Sequence, residues 1–204
     1  MRVGILGGTF NPPHIGHLVC AQEAYAGLDL DRVLLAPVRE PPHKAIEADP
    51  GCEHRVRLCE LAVEGDERLG VTRVDADRPG PSWTVDTLRK LHADAPEHDL
   101  TFIVGGDMAY SLPTWREPEA VLELADLGVA EREGVRRTDI LERLGTLSGV
   151  VDRVRFFEMP RIDVSSSYIR RQVTAGRPVR YLVPDAVADY MRTHDLYGRA
   201  GATA

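Results

Sequence analysis

Short aliphatic runs alternating with segments of helical spacing constrain the fold of this chain more than any other feature. Val3-Gly4-Ile5-Leu6 contains no polar side chain, Arg32 to Pro37 is aliphatic after its first residue, and Leu100 to Val104 is apolar but for Thr101. A strand wetted on one face alternates apolar with polar residues, so runs like these belong in a parallel sheet covered on both faces. Between them, residues 15 to 27 read as a helix. Glu53 to Val63 reads as another, with Val56, Leu58, Leu61 and Ala62 spaced for one broad face. Strand, helix, strand, helix is the rhythm of an α/β protein. The expected architecture is therefore a doubly wound parallel sheet with helices on both faces. The same reading predicts strands over Val71 to Val74, Leu127 to Ala130 and 150 to 157, and helices over Thr84 to His92, Pro118 to Leu124 and 138 to 147. A short helical segment and loop surround Pro113, and two closing helices cover about 166 to 175 and 184 to 193. With 204 residues, 43% of them hydrophobic, the expectation is one domain over 1–197. Its small helical C-terminal part spans about 165–197, and a disordered tail follows from Gly198.

The first run leads into Gly7-Gly8-Thr9-Phe10-Asn11-Pro12-Pro13-His14-Ile15-Gly16-His17 and then a helix. This is where α/β proteins hold phosphates. Glycines allow positive φ and close approach of peptide N–H groups to an anion beside the positive end of the coming helix. A Gly-Gly pair after a strand can equally be a plain tight turn. Two histidines three residues apart at a helix start share a face and point toward whatever the glycines hold. His14, His17 and Cys20 also repeat at helical spacing, which leaves a metal reading open, although structural zinc wants four ligands and catalytic zinc three.

Composition narrows the classes. The net charge of −7 disfavours nucleic-acid binding, since duplex binders present dense basic faces. A small anionic ligand stays compatible, because local arginines and amides set the field at a site. Three cysteines, Cys20, Cys52 and Cys59, without a Cys-x-x-Cys pair, argue against a disulfide framework. No apolar stretch reaches the roughly 20 residues needed to span a bilayer, and the first strand leaves no room for a signal peptide, so a cytoplasmic protein without membrane contact is expected.

Later segments supply further candidates. Lys44, one of only two lysines, follows Pro41-Pro42-His43 as either a point charge beside a pocket or a solvated side chain. Gly105-Gly106-Asp107 follows a strand, with Asp107 a helix cap or a ligand group. Ser165, Ser166 and Arg170 in Val164-Ser-Ser-Ser-Tyr-Ile-Arg170 read as a helix start by cap chemistry, and the same N-terminus with its guanidinium would favour a phosphate. Trp83 and Trp115 are core residues or stacking surfaces.

The Gly-Gly-Thr-Phe-Asn-Pro-Pro-His-Ile-Gly-His element resembles the first motif of the nucleotidyltransferase α/β-phosphodiesterase superfamily, whose hallmark is His-x-Gly-His after a glycine turn. Pro37 to Lys44, Pro81 to Leu88, Phe102 to Trp115 and Val164 to Arg170 occur in the order found in the bacterial nicotinate-mononucleotide adenylyltransferase family. The resemblance spans most of the chain and implies the Rossmann-like form of the sheet, with ligands beyond the carboxyl ends of its strands. It implies transfer of AMP from ATP to nicotinate mononucleotide, with Mg²⁺ held mainly by the ATP phosphates. Catalysis is implied for His14, His17 and Arg170. ATP binding is implied for Gly7, Gly8, Thr9, Phe10, His14, His17, Gly105, Asp107, Ser165, Ser166 and Arg170, and mononucleotide binding for Lys44, Trp83, Thr84, Tyr110 and Trp115. Nicotinamide mononucleotide, phosphopantetheine or a cytidyl acceptor, or a nucleotide sensor without turnover, remain alternatives. Three departures stand out: Asn11 replaces the common Asp, Trp83 stands where relatives commonly have Tyr, which keeps stacking but removes a hydroxyl, and Glu131-Arg-Glu-Gly134 lacks the usual Arg-Pro-Gly, which leaves Arg132, Arg136 and Arg137 without a ligand. Oligomeric state is not readable, and a homo-oligomer stays open.

Overall fold

The computed structural model describes residues 1–42, 45–131, 135–147 and 151–198. Six parallel strands form one sheet: β1 (Arg2–Gly8), β2 (Arg32–Pro37), β3 (Leu69–Val71), β4 (Asp99–Gly105), β5 (Asp126–Glu131) and β6 (Val154–Glu158). Their order across the sheet is β3-β2-β1-β4-β5-β6. The direction of winding therefore reverses between β1 and β4, the place where sheets of this kind open a crevice. Pairing shows the opening directly. β1 stays in register with β2 through Gly8↔Pro37, but with β4 only through Leu6↔Ile103.

Strand alternation sends side chains to two cores. Val3, Ile5, Leu100, Phe102, Val104, Leu127 and Val129 meet α3 (Thr84–Asp94), α4 (Gly106–Ser111), α5 (Pro118–Leu124) and α6 (Arg137–Leu144) on one face. Leu6, Val33, Leu35 and Ile103 meet α1 (Ile15–Gly27) and α2 (Cys52–Val63) on the other. Both faces are covered, which is why the strands carry so few polar residues. A third cluster lies on the outer side of α2, where Leu58 packs with α7 (Ser166–Thr174) and α8 (Asp185–Thr193) through Ile169, Val187 and Met191. Among the described residues no helix is long and apolar enough to cross a membrane.

Three boundaries differ from the sequence reading by three residues or more. The third strand is Leu69–Val71 rather than Val71 to Val74, because Thr72 N–H makes the last bond to β2, at Leu35 O (2.9 Å), and Arg73 is then captured by Glu53 and Asp77. The last strand starts at Val154, after one 3₁₀ turn over Val151–Arg153. The sixth helix ends at Leu144, capped by Gly145, rather than at 147. The tail beyond Gly198 lies outside the described residues.

Candidate active site

A cavity of about 690 Å³ opens where β1 and β4 part, walled by the ends of both strands, the start of α1, the Ser82–Thr84 turn, Trp115–Arg116 and the Ser165–Ser166 cap. Gly7 and Gly8 line it, but in the last two positions of an extended strand and not in a positive-φ turn. Their use is space. A Cβ on Gly8 would stand 3.0 Å from the Phe10 ring, and one on Gly7 would stand 3.2 Å from Phe102. The left-handed residue of this loop is Phe10 (φ 48°), whose buried side chain meets the His17 ring edge-on at 4.9 Å between centroids. Phe10 therefore supports the wall from behind.

His14 is the extended N-cap of α1, and the histidine pair does share a face: the rings stack with centroids 3.7 Å apart. The His14 backbone N–H donates to His17 Nδ1 at 3.2 Å. That bond fixes the tautomer, because Nδ1 must be unprotonated and the neutral ring then carries its proton on Nε2. Gly16 makes the stack sterically feasible, since a Cβ there would lie 3.1 Å from both His14 Cε1 and Nδ1. His14 is 7% exposed, and its Nδ1 is buried with no hydrogen-bond partner among the described residues, although the ring borders the cavity. Burial pushes this imidazole down from its ordinary 6.5 to about 4, so it is neutral at pH 7. No group of three His, Cys, Asp or Glu among the described residues is placed to hold a metal ion, the His14, His17 and Cys20 set included.

A stability prediction follows from the His14 shift. The unfolded chain binds the proton more readily than the folded one, so this contribution is fully present above 6.5 and is lost as pH falls toward 4. Its size is roughly 3 kcal/mol. Urea unfolding at pH 7 and pH 4 should show a correspondingly smaller pH dependence in His14→Gln than in the parent, and equal slopes would assign the titration elsewhere.

The loop before α1 is anchored by distant parts of the chain. Ser166 Oγ donates to Pro12 O (2.8 Å), Arg170 Nη1 donates to Asn11 O (2.9 Å) and Ile15 N–H donates to Leu182 O (3.0 Å). Asn11, a departure from the resembled motif, is 2% exposed and uses both ends of its amide: Nδ2 donates to Glu47 O (2.8 Å) and Oδ1 accepts from Tyr197 Oη (2.6 Å). Burial also pushes the Tyr197 phenol well above the usual tyrosine range, which keeps it a donor. An aspartate could not donate to Glu47 O. Asn11→Asp is expected to lose about 1–3 kcal/mol by leaving that carbonyl unpaired against a carboxylate; thermal unfolding at neutral pH checks it, and an unchanged midpoint would contradict the pairing.

Ser165 caps α7 by accepting from Tyr168 N–H at 3.2 Å and also lines the cavity, as does Ser166. Arg170 is placed differently from the expectation. Its guanidinium also donates to Ser167 Oγ (3.3 Å) and approaches Glu47 at 3.5 Å, in a shallow neighbouring depression rather than on the cavity wall. Gly105 is on the wall and is the N-cap of α4, while Asp107 sits exposed in that helix's first turn and caps nothing. Trp83, Thr84 and Trp115 line the cavity; Trp115 also packs edge-on against Phe102 (6.0 Å) and donates from Nε1 to Ser111 Oγ (3.0 Å), so it is core and wall together. Tyr110 is exposed beneath Arg143, away from the wall. Arg136 pairs with Asp139, and Arg137 lies over Phe156. Lys44 and Arg132 lie outside the described residues.

Two residues escaped the sequence reading. Arg55 on α2 is fully buried and donates to Asp49 Oδ1 (2.9 Å), Thr9 O (3.1 Å), Val38 O (2.6 Å) and Arg39 O (3.0 Å), tying together the loops that follow β1 and β2. Its signal was an arginine three and four residues before Leu58 and Cys59, on the apolar side of the helix. Arg116 was the other. It is the one Lys or Arg among the described residues that line the cavity.

The profile of the family described as Cytidylyltransferase-like matches residues 5–172. A probable nicotinate-nucleotide adenylyltransferase from Thermomicrobium roseum is 41% identical over 196 residues, covering 96% of this chain and 91% of its own. A relative of the same name from Nocardioides sp. is 42% identical over 194 residues, covering 95% and 93%. Among solved structures, Plasmodium falciparum nicotinic acid mononucleotide adenylyltransferase complexed with NaAD superposes with a TM-score of 0.75 at 17% identity, over 96% of this chain and 97% of that one, a likeness of fold. The match across most of the sequence, in a parallel sheet that opens at its switch point over a His-x-Gly-His helix start, places the chain in the Cytidylyltransferase-like family, among the nicotinate-nucleotide adenylyltransferases.

Proposed function

We propose that this protein transfers AMP from ATP to nicotinate mononucleotide, releasing pyrophosphate and nicotinate adenine dinucleotide. The observation that carries the reading is that His14, His17, Ser165 and Ser166, about 150 residues apart in sequence, wall one cavity that also presents Trp83 and Trp115. Relatives carrying the adenylyltransferase name support the choice of reaction. The attacking phosphate oxygen of the mononucleotide is already anionic, so a general base has little to do. Catalysis rests on alignment of two polyanions and on donors aimed at charge that develops during in-line displacement at the α-phosphorus.

In this reading His17 Nε2–H donates to the α-phosphate region, and His14, neutral and stacked, holds that ring in place. The backbone of Gly7 to Phe10 lies along the phosphates, and the Ser165–Ser166 helix start faces the leaving pyrophosphate. Gly105 stands at the ribose side; Asp107 and Tyr110 lie off the cavity wall, so a contact with ligand requires each of them to turn inward. Arg170 supports the Asn11 carbonyl, and direct contact with phosphate requires it to exchange Glu47 for the ligand. Among the described residues the cavity wall offers hydroxyls, imidazoles and backbone groups but no carboxylate, a donor set that suits Mg²⁺ arriving on the triphosphate with its waters. When bound, the ion neutralises phosphate charge.

The test is incubation of purified protein with ATP, Mg²⁺ and, separately, nicotinate mononucleotide, nicotinamide mononucleotide or phosphopantetheine, with products identified by mass. A dinucleotide from the nicotinate acceptor is expected. Preferential conversion of another acceptor, or binding without any product, would overturn the reading.

A further inference from the structure

We infer that Arg116, stacked on Trp83, is the residue that makes this site prefer a pyridine carboxylate to the corresponding carboxamide. The inference rests on the adenylyltransferase reading and goes beyond it, because the two mononucleotides differ in one substituent and the cavity offers few groups able to sense it. Arg116 is the single permanent cation lining the cavity among the described residues; it follows Trp115 in the chain and holds its Cζ 5.5 Å from the Trp83 ring centroid. A guanidinium over an indole face is held by the ring quadrupole. Trp83 thus aims the charge.

The surrounding carboxylates leave that charge available. Arg116 approaches Asp86 at 3.5 Å and Glu117 at 3.6 Å, both longer than a good N–H···O bond. Glu117 is held instead by Arg89 at 3.2 and 2.6 Å, and Asp86 is shared with Arg78 (3.8 Å) and Arg89 (3.7 Å). Arg116 Nη2 has no hydrogen-bond partner among the described residues. A carboxylate on a bound pyridine ring could therefore take a short, forked pair of bonds that neither neighbour takes. A carboxamide brings an acceptor oxygen but also an NH₂ group that faces the guanidinium donors with nothing to accept.

The test is the ratio of kcat/KM for nicotinate mononucleotide to that for nicotinamide mononucleotide, in the parent, Arg116→Gln and Arg116→Lys. Because the side chain is half-exposed, the expected loss on the acid is about tenfold, within the range for a hydrogen bond to a charged group tempered by solvent. The amide substrate and the KM for ATP should be little changed, so the ratio falls by the same factor in Arg116→Gln and is partly restored in Arg116→Lys. Equal losses on both acceptors, or an unaltered ratio, would overturn the assignment. A parent protein that adenylylates neither mononucleotide would instead overturn the underlying reading, so the two failures are told apart by the parent alone.

Discussion

Arg55→Met should lower the free energy of unfolding by about 3–5 kcal/mol, the effect of removing one partner from a buried ionic network. The reason is local and countable. Methionine fills much of the same volume, yet it leaves the carbonyls of Thr9, Val38 and Arg39 without the donors they have now and Asp49 with the Gly51 N–H alone. Those carbonyls belong to segments that wall the cavity, so the variant should also lose protection by ATP against thermal unfolding. A domain is stable by about 5–15 kcal/mol in total, and the loss would be visible as a large drop in urea midpoint with little change in m-value. A loss below about 1 kcal/mol would mean that water reaches those carbonyls and that the arginine is not their essential partner. Arg55→Lys should fall between the two, because an ammonium keeps the charge without the planar fork.

His17→Ala should reduce kcat by roughly 10²-fold or more, the usual scale for losing one preorganised transition-state donor. Folding should survive, since His17 is only partly buried in the first turn of α1 and the helix start remains held by Ser166, Arg170 and the Leu182 carbonyl. The measurement is single-turnover formation of dinucleotide beside a thermal melt. Parent-like turnover would remove His17 from the chemistry, and a collapsed melting transition would reassign it to structure.

The sheet was readable because its strands are covered on both faces and so lack polar residues. β2 and α1 match their expected limits, Arg32 to Pro37 and 15 to 27. β3 was misplaced because Val71-Thr72-Arg73-Val74 alternates like a strand, while the pairing that decides the matter comes from β2. Within the site, the His14–His17 relation was legible as a spacing rule, and Ser165 as a cap. The function of Gly7 and Gly8 was not: sequence cannot distinguish a glycine needed for torsion from one needed for room, and here the room is for Phe10 and Phe102. Arg116 and the direction taken by Arg170 depend on partners 30 to 159 residues away, which no local pattern records; Arg55 showed locally only as an arginine on the apolar side of its helix, and its carbonyl partners lie 16 to 46 residues away.

The segment leading into α1 owes its shape to Ser166, Arg170, Leu182 and Tyr197. During synthesis from the N-terminus, that segment is among the first to emerge and among the last to be secured. A nascent chain stalled before residue 166 would therefore carry both imidazoles and most of the sheet yet lack a finished nucleotide cradle, so competence for ligand should arrive late and all at once as the closing helices dock.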